Sequence, residues 1–96
     1  MGVFSFLSRK QKPDPAEGRR ERLLNRGRIT DGIITDNEIS PDGEEVVFYV
    51  YTLNGVDFES SELLTAEQRR DPLKYAPGAK VAIRYDSNNQ GNSTLV

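Results

Sequence analysis

Ninety-six residues, 29% of them charged, with a mean hydropathy of −0.64 describe one small soluble domain. Its core is limited, because a chain of this size buries only about 60–65% of its unfolded surface. No run approaches the roughly 20 apolar residues of a bilayer-crossing helix. The absence of cysteine and histidine excludes disulfides, thiol catalysis, thiolate metal sites and the commonest general base and metal ligand.

The net charge of −2 conceals a division: residues 1–28 carry eight Lys or Arg against three acids, and residues 29–96 carry five against twelve. A basic arm, residues 1–27, therefore precedes an acidic module, residues 28–96. The arm can meet an anionic surface or lie against its own acidic domain.

The chain begins with the apolar residues Val3, Phe4, Phe6 and Leu7, followed at once by Arg9, Lys10 and Lys12. On a helix the apolar residues share a stripe, so this segment is a candidate membrane contact with its cations at lipid headgroups. No basic region or small-residue cleavage site marks a secretory signal, and Phe6 stands where N-myristoylation needs Ser or Thr. A cytoplasmic or membrane-peripheral location is expected.

Pro13-Asp14-Pro15 breaks the chain before a short amphipathic helix. Asp14 suits the cap, Pro15 the first helical position and Glu17 the capping box, and Gly27 is expected to end the helix in a left-handed conformation. Leu23 and Leu24 are its apolar anchors. Arg19, Arg20, Arg22 and Arg26 read as a solvated face.

Arg28 to Glu38 forms the first strand, with a bulge or bend expected at Gly32. Ser40-Pro41-Asp42-Gly43 fits a type I turn leading into the second strand. The acids here, Asp36, Glu38, Asp42, Glu44 and Glu45, do not have calcium-loop spacing. Asn54-Gly55 predicts a type I′ hairpin, because both central residues tolerate positive φ. The register that follows sets Leu53 opposite Val56, Tyr51 opposite Phe58 and Tyr49 opposite Ser60, with one apolar face inward.

The second strand, Val46 to Leu53, is apolar on both faces. It must therefore be buried twice, inside a curled sheet and beneath either Leu23 and Leu24 or a partner. Thr65-Ala66-Glu67-Gln68 predicts a two-turn helix stopped at Asp71-Pro72, and Pro77-Gly78 a turn. Lys80 to Tyr85 alternates as a fourth strand, Asp86 to Asn92 reads as a polar loop, and Ser93 to Val96 as a short last strand. The fold expected is mainly β: a small curled antiparallel sheet or five-stranded barrel, with an N-terminal helix and one short helix between strands 3 and 4.

Gly32-Ile33-Ile34, Tyr51 through Phe58, Pro77-Gly78 with Val81 and Ile83, and Tyr85-Asp86 through Asn89 to Ser93 and Leu95 follow one another along the chain. In that order and spacing, residues 28–96 resemble the bacterial family termed domain of unknown function 3592. Ser87 and Gln90 stand where that family usually has prolines, which leaves the loop less constrained. The resemblance implies a compact β-module at or near a membrane and supplies no catalytic motif.

Three functions are weighed. The leading one is a non-catalytic binding or scaffolding module without cofactor or metal, its partner a protein or an anionic membrane surface, with weak self-association allowed. The second is nucleic-acid binding through the basic arm and Phe48, Tyr49 or Tyr51. The third is an enzyme using Asp57 and Glu59, which share a strand face. The acidity of the module and the core positions of its aromatics disfavour the second, and simple alternation on a wet face explains the third pair.

Overall fold

The structure, a computed structural model, describes residues 15–96. Helix α1, Pro15–Arg26, is followed by strands β1, Arg28–Ile39; β2, Glu45–Leu53; β3, Val56–Leu63; β4, Lys80–Asp86; and β5, Asn89–Leu95. All neighbouring strands are antiparallel, and the sheet order is β3-β2-β1-β4-β5. Long strands twist and curl the sheet until its two edges, β3 and β5, approach each other. The result is a nearly closed, barrel-like sheet.

The β2–β3 hairpin has the expected register, with Leu53 opposite Val56, Tyr51 opposite Phe58 and Tyr49 opposite Ser60. Asn54 and Gly55 adopt φ of 52° and 82°, as a type I′ turn demands. Val47, Tyr49, Tyr51 and Leu53 consequently point into the core with Ile34, Val81, Ile83, Leu95, Leu64 and Tyr75. Tyr51 stacks between Phe58, at 5.4 Å, and Tyr85, at 6.5 Å, an offset arrangement that suits aromatic pairs.

Several local expectations are corrected. The β1 irregularity lies between Ile34 and Asp36, not at Gly32. Gly32 pairs normally on both sides and is required for close approach: a Cβ there would fall 2.2 Å from Ile83 Cδ1 and 2.7 Å from the Val50 carbonyl oxygen. Gly27 ends α1 by donating its N–H to the Leu23 carbonyl at 2.7 Å, but its φ is not left-handed. A Cβ at Gly27 would meet that same carbonyl at 2.5 Å, so crowding selects the residue.

The two-turn helix after β3 is a single 3₁₀ turn, Gln68–Arg70. Its capping box is formed all the same: the Thr65 N–H donates to Gln68 Oε1 at 2.9 Å and the Gln68 N–H to Thr65 Oγ1 at 3.1 Å. Pro72 and the buried Tyr75 behind it leave too few residues for a longer helix. Asp86 to Asn92 is not a long loop. Asp86 pairs with Asn89, and the Asn88 N–H donates to Asp86 Oδ1 at 2.8 Å. An aspartate side chain thus closes a turn that has serine at position 87.

Candidate functional site

Two places in the fold hold side chains that a minimal sheet would not need: the seam between β3 and β5, and the outer face of β1, β2 and β3.

At the seam, period-two alternation along β3 turns Phe58, Ser60 and Glu62 inward. The Glu62 carboxylate is thereby nearly buried, its side chain 8% exposed. Thr94 of β5 donates its hydroxyl to it, 2.8 Å from both oxygens, and the Leu95 N–H lies 3.4 Å from Oε2. Arg19 and Arg20 of α1 each bring a guanidinium nitrogen to 3.8 Å from it. Both arginines also bond β5: Arg19 donates to the Ser93 carbonyl at 2.6 Å and to Asn92 Oδ1 at 3.0 Å, and Arg20 to the Leu95 carbonyl at 3.2 Å. Burial pushes the Glu62 carboxyl above the usual carboxylate range, against the pull of Thr94, the Leu95 amide and the two arginines. Nearby, the Tyr49 hydroxyl is 2.8 Å from Ser93 Oγ, and burial raises the pKa of that phenol.

This network joins two sheet edges that lack a backbone ladder and fastens α1 across the gap. Arg19 and Arg20 are therefore structural ligands of the module, which corrects their reading as a solvated face; Arg22 and Arg26 are exposed. The inward position of Glu62 in the β3 alternation was the available signal, since a carboxylate on a core face requires hydrogen bonds and cations.

Because α1 lies along β4 and β5, Leu23 and Leu24 do not cover the outside of β2. Alternation leaves Val46, Phe48 and Val50 on that outer face, each half-buried. Register places Leu63 beside Val46, and Ile33 and Glu59 on either side of Val50. Ile33 is 47% and Leu63 50% exposed. The bulge at Thr35 helps to form a shallow groove of about 370 Å³, with Phe48 and Val50 in its lining and Asp36, Glu38 and Glu59 among its walls.

Tyr49 and Tyr51 are buried, and the Tyr51 hydroxyl donates to the Gln90 carbonyl at 2.5 Å. Of the aromatics weighed for base stacking, only Phe48 reaches the outer face. Asp57 and Glu59 are exposed, and Thr52 Oγ1 donates to Asp57 at 2.6 Å. Val3, Phe4, Phe6, Leu7, Arg9, Lys10 and Lys12 lie outside the described residues. Among the described residues no helix is long and apolar enough to cross a membrane.

A family model described as "Domain of unknown function (DUF3592)" matches residues 26–96, a span that opens at the last residue of α1 and takes in every strand. The chain belongs to this family. No curated protein and no solved structure matches it. The DUF3592 match covers both the β3–β5 seam and the outer groove, whereas Arg19 and Arg20 lie before it.

Proposed function

We propose that this DUF3592 module is a non-catalytic binding module whose outer β1–β3 face takes a protein segment. The observation that carries the reading is the apolar stripe Leu63, Val46, Phe48, Val50 and Ile33, which the described residues leave partly exposed. A face of this kind on a small domain, rimmed by polar residues, marks a surface of interaction. Its acidic walls, Asp36, Glu38 and Glu59, select a segment that combines bulky apolar side chains with positive charge. The same walls repel phosphates, which weighs against nucleic acid. A cytoplasmic setting suits the reading.

The test is photo-cross-linking in the native cell with a photoreactive residue at position 50, compared with one at position 22 on the exposed side of α1. Adducts to a polypeptide segment are expected from position 50 and not from position 22. Equal yields from both positions would contradict the reading.

Peripheral membrane contact through Val3, Phe4, Phe6 and Leu7 with Arg9, Lys10 and Lys12 is the second reading. It is supported by the apolar-then-basic order of the sequence, and co-sedimentation with phosphatidylglycerol-containing vesicles tests it.

A further inference from the structure

The outer groove is defined by an apolar floor and three carboxylates, Asp36, Glu38 and Glu59. Along β1, Asp31 extends the negative charge on the same face, and Asp57 does so on β3; Lys80, opposite Ile33 on β4, is the nearest cation by register. The occupant that this surface fits must present large apolar side chains and several cations in a short length.

One segment of this chain has that composition. Residues 3–12 carry Val3, Phe4, Phe6 and Leu7, then Arg9, Lys10 and Lys12: four apolar side chains for the floor and three cations for three carboxylates. Pro15, where α1 begins, is three residues from Lys12 and eleven from Phe4, spans of at most about 10–11 Å and about 36–40 Å along an extended chain, so the cations are tethered close to the helix that the seam fastens and the apolar residues have the longer reach. The seam itself already pairs basic residues of the arm with a carboxylate of the module, through Arg19, Arg20 and Glu62.

We infer that residues 3–12 of the chain dock in cis on the outer face of β1–β3, their apolar side chains over Phe48, Val50 and Ile33 and their cations against Asp36, Glu38 and Glu59. This rests on the reading of that face as a binding surface and names the segment that occupies it. A partner with the same chemistry must displace the arm, and an anionic membrane that captures the arm uncovers the face.

The test uses the full chain with a nitroxide attached at Ser5→Cys, which is the single thiol because the chain has no cysteine. Backbone amide signals are then recorded in dilute solution. Loss of the Ile33, Val50 and Glu59 signals is expected, with the amides of α1 and β5 spared. The loss should weaken in high salt as the charges are screened and disappear in the Phe4→Ser, Phe6→Ser double variant.

Signal loss confined to the neighbourhood of α1, or loss that persists in the double variant, overturns the inference. Loss seen only in a mixture of isotope-labelled chains and separate nitroxide-bearing chains also overturns it, in favour of a second copy as occupant. Intact outer-face signals together with immobilisation of the nitroxide on phosphatidylglycerol vesicles overturn it in favour of the membrane. If the outer face is silent to the nitroxide but position 50 still cross-links to another polypeptide, the docking of the arm fails and the binding surface stands. If both are silent, both fail.

Discussion

A carboxylate facing a sheet interior is disfavoured unless donors surround it, and Glu62 is held by Thr94, the Leu95 amide and two arginines. Burial still dominates, so its folded pKa lies above the ordinary glutamate value of 4.5. Below that value both folded and unfolded chains carry the proton, and the contribution to stability is fully present. As pH rises the unfolded chain ionises first, and the contribution is lost through the folded pKa. Glu62→Gln should therefore flatten the fall in stability above pH 4.5 relative to wild type. Denaturation midpoints across pH check this, and parallel profiles for the two proteins would contradict it. At this scale the turn residues were legible in the sequence: Asn54 and Gly55 fix a backbone conformation that few other pairs tolerate. Gly27 and Gly32 were misread because each answers to crowding, by the Leu23 carbonyl at Gly27 and by Ile83 and the Val50 carbonyl at Gly32, and turn propensity says nothing of such neighbours.

At the scale of elements, α1 is short and has the packed Leu23 as the one buried apolar side chain among its described residues, so its order depends on the seam. Replacing both Arg19 and Arg20 by Ala removes the guanidinium bonds to Ser93 and Leu95 and leaves Glu62 facing only Thr94 and a distant amide. The expected cost is about 1–3 kcal/mol. Amide hydrogen exchange should accelerate throughout α1 and at the β5 edge while β1 and β2 keep their protection. Uniform acceleration across the sheet would show instead that the seam is part of the global core. The two consecutive hairpins, β1–β2 and β2–β3, and the register of the second could be read from alternation and turn chemistry because both are local, whereas the pairing of β1 with β4 joins residues some fifty apart and has no such signal. The closure of the sheet could not be read, since it depends on where the twist carries β3 relative to β5. The destination of α1 was also hidden: two leucines identify an apolar face without saying which surface receives it.

For the whole molecule, doubly apolar β2 raised a question that the fold answers in part. Its inner side fills the barrel, and the described residues leave its outer side uncovered. The acidic balance of the module, −7 over residues 29–96 against +5 over residues 1–28, favours a basic occupant there and steers its approach. The DUF3592 membership covers this face without assigning it a task. On the function proposed above, the outer apolar residues serve binding and not folding. The most direct measurement is cross-link yield from position 50 in an Ile33→Thr, Leu63→Thr double variant, whose two sites keep strand-compatible side chains. Because both residues are about half exposed, each substitution should change stability by no more than about 0.5 kcal/mol. A folded protein whose denaturation midpoint shifts only slightly and whose cross-linking is lost is expected, whereas a protein that unfolds, or one that cross-links as wild type does, would contradict a binding role for this face.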